Sequence, residues 1–328
     1  MSKQLQGHLA IISANIIFGL SIPITKKLID HWVTPSSYTF MRLAVGAIIF
    51  WSIGAFVKKE KVSKRDLLII AVGGFFGFVA TQLLFATALQ YTTPVYFSLI
   101  MALTPILVLL MSLLFLKEIF TKNKILGVAL SIGGAALIIL TGGSSAMASN
   151  NKFGIMLSFL AALSYGIYMI VTKDVSVKYK PITIIKWSFL FSAMMLFPFE
   201  ISALPKQTIF TAEATLNSYL LLIFCLVFIT ALGFLLMPMG LKYIKATTAS
   251  IYMNFQPIVA SVVAILLGQD VFSWEKPMAA VLVIAGVIFV SYNPDRKNKS
   301  KKSQNYIRKL QKKKDYLRQG RTTSAANS

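Results

Sequence analysis

Polar side chains inside long apolar runs are the residues of this chain best suited to chemistry. Arg42 lies seven residues past Pro35 in one such run, where an ionisable group is costly and therefore indicates function. Its planar guanidinium can bind a carboxylate or a phosphate through two parallel hydrogen bonds. The alternative is that Arg42 bonds backbone carbonyls and only orients its own helix, so a binding role and a structural role both stay open.

Neutral polar residues also occur within the apolar runs, where lipid would leave their hydrogen bonds unsatisfied. They should turn toward other helices or water, either as substrate contacts or as bonds between helices. With Arg42, the substrate-binding candidates are Asn15, Gln82, Thr104, Tyr165, Tyr168, Asn254 and Gln256. Pro105 and Pro257 would kink their helices, so they are candidate hinges, with static bends as the alternative.

Acidic residues are placed differently, because none lies in the middle of an apolar run. Glu118, Glu200 and Asp270 fall at the ends of runs, and we expect Glu118 and Asp270 to be solvated helix termini. A proton relay usually needs a buried chain of acids or histidines. Coupling to protons is therefore not expected, unless it uses a shallow group such as Glu118 or Asp270.

No sequence motif indicates catalysis or a bound cofactor. The chain lacks a phosphate-binding Gly-Lys-Ser/Thr loop, a paired His-Glu helix and a Cys-x-x-Cys pair. One cysteine, Cys225, and two histidines provide little for a disulfide framework or a histidine-built metal site. We therefore expect no enzyme activity, no cofactor and no metal.

The elements that hold these residues follow from composition. The chain has 328 residues, of which 56% are hydrophobic and 13% charged, which is too apolar for a water-soluble globule. Ten apolar runs approach the roughly 20 residues that a membrane span needs. They are 8–25, 36–57, 67–89, 95–116, 124–141, 153–172, 182–200, 218–241, 246–268 and 276–292.

Lysine and arginine are unevenly distributed between alternate connections of these runs. With the N-terminus inside, the inner connections before the tail hold fourteen and the outer connections five, among them Lys26 and Lys27. The positive-inside rule then places both termini in the cytoplasm, with the spans in the cytoplasmic (inner) membrane. Residues 293–328 are a basic cytoplasmic tail, either an amphipathic helix on anionic lipid or a solvated segment; nucleic acid is not an expected partner.

The two halves of the chain are weakly similar to each other. An offset of 152 residues places Pro257 on Pro105 and Asp270 on Glu118. Each half holds five predicted spans, and an odd number makes the second half enter the membrane from the opposite side. The predicted fold class is all-α and integral to the membrane, with ten transmembrane helices as two inverted five-helix repeats.

Short motifs in the two halves carry a family resemblance. They are Asn15-Ile16-Ile17-Phe18-Gly19, Pro35 with Arg42, Thr104-Pro105, Lys117-Glu118, Gly127 to Gly134, Gln256-Pro257, Gly268-Gln269-Asp270 and Ala285-Gly286. The chain resembles the drug/metabolite transporter superfamily, EamA type, with one repeat over 8–141 and another over 153–292. It departs from the family pattern in its basic tail, in Ser188 where Arg42 aligns, and in Asp270 where glutamate is more usual.

The resemblance implies a secondary transporter that exports a small polar metabolite, such as an amino acid, and the inverted repeat predicts alternating access. Without a buried acid, facilitated or exchange transport is expected. The expected partners are the small-molecule substrate and the lipid bilayer. A stripe of small residues, Gly127, Ser131 and Ala135, packs either inside the bundle or at a homodimer interface. The alternative function is a membrane scaffold or sensor that recruits a partner through the basic tail.

Overall fold

A computed structural model describes residues 3–116, 122–141, 149–241, 243, 252 and 255–291 of the chain. Within these ranges the regular structure is helical throughout and includes no strand. The all-α prediction is therefore confirmed for the described residues. Asn254, Glu118, residues 142–148 and the predicted tail 293–328 lie outside them.

The described residues of the first half form seven α-helices and one π-helical turn. They are α1 (Lys3–His31), α2 (Pro35–Ala55), α3 (Lys64–Gly74), the first π-helical turn (Phe75–Ala80), α4 (Thr81–Tyr91), α5 (Pro94–Met101), α6 (Thr104–Leu116) and α7 (Lys122–Thr141).

The second half has the same kind of organisation, with a second π-helical turn in its third long segment. Its helices are α8 (Asn151–Val171), α9 (Lys173–Lys178), α10 (Pro181–Glu200), α11 (Leu216–Ile223), the second π-helical turn (Phe224–Ile229), α12 (Thr230–Leu241), α13 (Phe255–Leu266) and α14 (Glu275–Ser291).

Proline fixes the start of three of these helices. Pro35, Pro94 and Pro181 are each the first residue of their helix. Proline is favoured there because its missing N–H has no partner in the first turn anyway, and its fixed φ suits a helix. In α2 the preceding Thr34 also accepts a hydrogen bond from the backbone N–H of Ser37.

Seven helical segments of the described chain are long and apolar enough to cross a membrane. They are Lys3–His31, Pro35–Ala55, Lys64–Tyr91, Pro94–Met111, Asn151–Val171, Pro181–Glu200 and Leu216–Met237. The protein is thus an integral membrane protein. Shorter apolar helices within α7 and α13 coincide with the predicted fifth and ninth spans, and the total of ten spans stays a prediction.

The first helix extends further than the sequence indicated. The apolar run ends at residue 25, and Lys26 and Lys27 were expected in an outer connection, but α1 continues to His31. Lys26 is buried, and its ammonium Nζ donates to the backbone carbonyl of Leu89 at 2.6 Å and lies 3.3 Å from Asp30. Because those two acceptors satisfy the ammonium, the charge does not end the helix.

The helices of the two halves contact each other reciprocally. α2 packs against α10, and α7 against α14; these are the second and the fifth predicted spans of each half. α1 packs against α12, and α8 packs against α4, so the first span of each half lies on the third span of the other. The orientation of each half in a membrane stays a prediction.

Candidate functional site

Arg42 is the eighth residue of α2 and is buried, with 4% of its surface exposed. Its Nη1 donates to the Gln82 side-chain oxygen at 3.1 Å, and its Nε donates to the Thr230 hydroxyl at 3.4 Å. Gln82 belongs to α4 of the first half and Thr230 to α12 of the second. The guanidinium is therefore held between the two halves of the molecule.

No described carboxylate neutralises Arg42. The ion pairs within the described ranges join Lys26 to Asp30, Lys178 to Asp66 and Lys276 to Asp270. Both acceptors of Arg42 are neutral, and its Nη2 has no hydrogen bond to the described residues. Side chains rather than backbone carbonyls hold the guanidinium, so its positive charge is positioned without being compensated.

A compact cluster of buried residues with polar side chains lies one helical turn from Arg42. The hydroxyls of Thr25 and Tyr38 share a hydrogen bond of 2.8 Å, and both residues are buried. Cys225 packs in the same buried cluster as Tyr38 and lies near Arg42. Residues from α1, α2 and the second π-helical turn therefore meet beside the guanidinium.

Asn15 and Gln256 form a second polar contact between the halves. The Gln256 side-chain nitrogen donates to the Asn15 side-chain oxygen at 2.7 Å, and the Asn15 side-chain nitrogen donates to the Ile11 carbonyl at 2.8 Å. Asn15 is completely buried and Gln256 half-buried. Both residues were predicted to turn away from lipid, and their amides satisfy each other across α1 and α13.

The aromatic side chains at the centre of the molecule form one connected cluster. Phe78 lies in the first π-helical turn and contacts the rings of Phe189 and Phe234, at centroid distances of 4.8 and 5.8 Å. Phe50 contacts the same two rings at 5.1 and 6.3 Å. Phe50 and Phe189 lie in α2 and α10, so the cluster joins the halves as Arg42 does.

Tyr165 and Tyr168 reach this cluster from α8. Their rings lie 5.7 Å apart, and Tyr168 meets the edge of Phe78 at 5.6 Å. Gly77, in the first π-helical turn, lies so close that a Cβ there would overlap the Tyr168 ring. Both tyrosines are half-buried, and their role as substrate contacts stays a prediction.

Thr104 is buried, and its hydroxyl donates to the Met101 carbonyl at 2.6 Å, where α5 ends and the chain turns into α6. Pro105 is the second residue of α6, and Pro257 is the third residue of α13. Pro105 therefore occupies a first helical turn, where proline is tolerated. The hinge role of these prolines and the substrate role of Thr104 stay predictions.

The model of the EamA-like transporter family matches this chain twice, over residues 5–140 and 152–292. The chain belongs to the EamA-like transporter family. The resemblance to the drug/metabolite transporter superfamily is confirmed, and an EamA-like chain is a membrane transporter by family. The two matched segments contain Arg42 and Thr230, respectively, so the contact between these residues joins the two family repeats.

Similar proteins are transporters whose names state no substrate. The uncharacterized transporter YyaM of Bacillus subtilis is 25% identical over 88% of this chain and 94% of its own length. An uncharacterized transporter of Archaeoglobus fulgidus is 24% identical over 83% of this chain and 94% of its own. A crystal structure at 14% identity superposes with a TM-score of 0.60 over 88% of this chain and 97% of that chain, which supports the fold.

The EamA-like chain also contains a buried ion pair that its sequence did not reveal. Asp270 was expected to be a solvated helix terminus, and this was wrong: 2% of its surface is exposed. Its carboxylate accepts from the Lys276 ammonium at 2.6 Å and from the Thr93 hydroxyl at 2.7 Å. Lys276 is buried as well and lies 5.2 Å from the Tyr96 ring centroid, so the acid is covered by groups from α5 and α14.

Thr230 is the other residue that sequence reasoning missed. It lies in a continuous apolar run. A single threonine there does not indicate a functional site, because its hydroxyl often bonds the backbone of its own helix. Thr81 and Thr230 each directly follow a π-helical turn of the same length, an equivalence that only the folded structure reveals. The Lys186 ammonium lies 4.8 Å from the Trp51 ring centroid.

Proposed function

We propose that this EamA-like chain is a secondary transporter that exports a small polar metabolite with a carboxylate, an amino acid or a related compound. Transport is facilitated or by exchange, and it crosses the cytoplasmic membrane by alternating access. The proposal depends on one observation, which is that the buried Arg42 is held by neutral side chains and faces no described carboxylate.

The energetics of Arg42 favour a negatively charged substrate. Desolvating an unpaired charge costs several kcal/mol, and neutral acceptors offset only a part of this cost. An anionic ligand at the remaining guanidinium donors would supply the missing charge and could bond two N–H groups in parallel. A carboxylate fits that fork and is present on every amino acid.

Reciprocal packing supports alternating access. Ten spans in two inverted repeats would place a substrate site at the repeat interface, and Arg42 and Asn15 both bond residues of the opposite half. The contact of α1 with α12 is equivalent to the contact of α8 with α4. If one of these contacts tightens while the other loosens, the site opens to one side of the membrane as it closes to the other.

Charge placement supports the orientation of the carrier. The fourteen inner and five outer lysines and arginines, with the basic tail, favour both termini in the cytoplasm. Because Lys26 is buried within α1, one fewer positive side chain is exposed in the predicted outer connections.

Transport by the purified full chain tests this function. Proteoliposomes are loaded with a mixture of radiolabelled amino acids, and efflux is compared with that of the corresponding amides, which lack the negative charge. We expect at least one amino acid to leave faster than from protein-free vesicles, its amide to remain, and Arg42→Gln to abolish the difference. Equal efflux of acid and amide, or normal transport by Arg42→Gln, would contradict the carboxylate site.

A further inference from the structure

We propose that Gln82 and Thr230 are positioning residues, which two π-helical turns place against Arg42 so that its Nη2 is left for the substrate carboxylate. This inference rests on the proposed function and assigns how its site is built. The one geometric fact behind it is that both acceptors of Arg42 lie within two residues after a π-helical turn. Phe75–Ala80 is followed by Thr81 and Gln82, and Phe224–Ile229 is followed by Thr230.

The π-helical turns determine which way these side chains face. A π-helical turn inserts an additional residue into an α-helix and often occurs at functional sites. Successive residues of an α-helix are rotated by roughly 100° about its axis. Without the additional residue, the side chains after each turn would point roughly 100° away from their observed directions, and neither Gln82 nor Thr230 would face Arg42.

The Thr230 hydroxyl uses both of its hydrogen-bonding functions. It donates to the carbonyl of Cys225 at 3.2 Å, five residues back at the start of the π-helical turn, and it accepts from Arg42 Nε at 3.4 Å. A hydroxyl has one proton to donate. Since that proton is engaged by the carbonyl, the hydroxyl lone pairs are directed to the guanidinium, and Nε is fixed in place.

Thr81 provides a matched comparison within the same chain. It follows the first π-helical turn, and its hydroxyl donates to the Phe76 carbonyl at 2.7 Å, also five residues back. No hydrogen bond from an arginine reaches it in the described structure. Ser188, which aligns with Arg42, is buried, and its hydroxyl has no described partner. The two π-helical turns are equivalent in form, but an arginine is bonded to only one of the two threonines that follow them.

Gln82 fixes the other side of the guanidinium without neutralising it. Its side-chain oxygen accepts from Nη1 at 3.1 Å, and an amide carries no charge. A glutamate here would hold Arg42 at least as firmly, because a charged acceptor strengthens the hydrogen bond. It would also supply the negative charge that the substrate is expected to supply, and would therefore compete with it.

Acetate and acetamide are the probes for this site, because they have nearly the same shape and differ in charge. The unfolding temperature of the purified full chain is measured against the concentration of each at constant ionic strength, with chloride as the compensating anion. We expect acetate but not acetamide to stabilise the wild-type protein. The concentration of half-maximal effect then reports binding at Arg42, separately from the stability of the ligand-free protein.

Four variants separate positioning from ordinary structural support. Thr230→Val should raise the half-maximal acetate concentration about tenfold, the size of one net hydrogen bond, and Thr230→Ser should return it to within about twofold of wild type. Thr81→Val removes the equivalent hydroxyl and should leave the acetate response unchanged. Gln82→Glu should abolish the acetate response while the ligand-free protein remains as stable as wild type.

The outcomes distinguish the inference from the proposed function. If acetate and acetamide act alike on the wild-type protein, the carboxylate site fails, and the positioning roles fail with it. If acetate alone stabilises the wild type but Thr230→Val and Thr81→Val respond equally, only the role of Thr230 is overturned. Should Thr230→Val not fold, Gln82→Glu decides: a retained acetate response in Gln82→Glu overturns the inference.

Discussion

The side chains of Asn15 and Gln256 form a hydrogen bond of 2.7 Å between α1 and α13, in the middle of the apolar runs of the two family repeats. Asn15 also bonds the Ile11 carbonyl of its own helix. The pair therefore joins the repeats through two amides that lipid could not satisfy.

Replacing either amide should weaken this connection. We expect a double-mutant cycle of Asn15→Leu and Gln256→Leu to give a coupling energy of about 0.6 kcal/mol, and at most about 1.7 kcal/mol, in favour of the pair. Unfolding of the four purified proteins in detergent measures it. Additive effects of the two substitutions would show that the amides do not interact in the folded protein.

Neutralising Asp270 should be strongly destabilising. Asp270→Asn leaves the buried Lys276 ammonium without its carboxylate, and breaking a buried pair costs about 3–5 kcal/mol. Asp30→Asn is the control, because Asp30 is one-third exposed and Lys26 keeps its bond to the Leu89 carbonyl; we expect less than about 1 kcal/mol there. Adding Lys276→Met to Asp270→Asn should recover most of the lost unfolding temperature, and no recovery would contradict an ion pair.

The close approach of α2 and α10 depends on a glycine. A Cβ at Gly46 would overlap the buried Phe189 ring, so Gly46→Ala should cost about 1–3 kcal/mol of unfolding free energy. Gly133 in α7 has open space around it. Gly133→Ala should therefore be neutral or stabilise by about 0.5–1 kcal/mol. Thermal unfolding compares the two, and equal effects would mean that α2 and α10 are further apart than described.

The connection between α2 and α3 should respond to acid through Glu60. The Thr183 hydroxyl donates to its carboxylate at 2.6 Å, and the Lys180 backbone N–H donates at 3.0 Å. These bonds, the Thr183 bond first, hold the pKa of Glu60 below its usual value. A lowered pKa in the folded state means that the stabilising contribution is complete above the usual value of about 4.3 and is lost as the pH falls through the folded pKa.

Amide hydrogen exchange at Lys180 reports this contact. We expect protection of the Lys180 amide in the wild type near neutral pH, and loss of that protection as the pH falls through the lowered pKa of the Glu60 carboxyl. Thr183→Val should move the loss to higher pH, because the strongest bond to the carboxylate is gone. Glu60→Gln should show no such transition, and a transition that persists in this variant would assign it to another group.

Span positions were predictable from the sequence, whereas the partners of the polar residues were not. The apolar runs predicted α2 and α10 to within about two residues, since proline and the hydrophobic pattern act locally. The π-helical turns gave no local signal, because Phe75–Ala80 and Phe224–Ile229 are as apolar as the residues around them.

Long-range contacts explain the remaining differences. Arg42 was identified as a candidate from its type and depth, yet Thr230 is 188 residues away in the chain and could only be found in the folded molecule. Asp270 was misjudged for the same reason, because the Thr93 hydroxyl that covers it comes from 177 residues earlier. Sequence patterns report burial along one helix, whereas these sites are formed by helices from both halves.

Cys225, the single cysteine of the chain, is sealed in the interior beside Arg42. A reagent that attacks thiols from the aqueous phase should leave it untouched for as long as that interior stays shut. Spin labels or fluorophores can therefore be attached at engineered surface cysteines without first deleting the native one. Distances between the two membrane faces can then be followed in an otherwise unaltered protein.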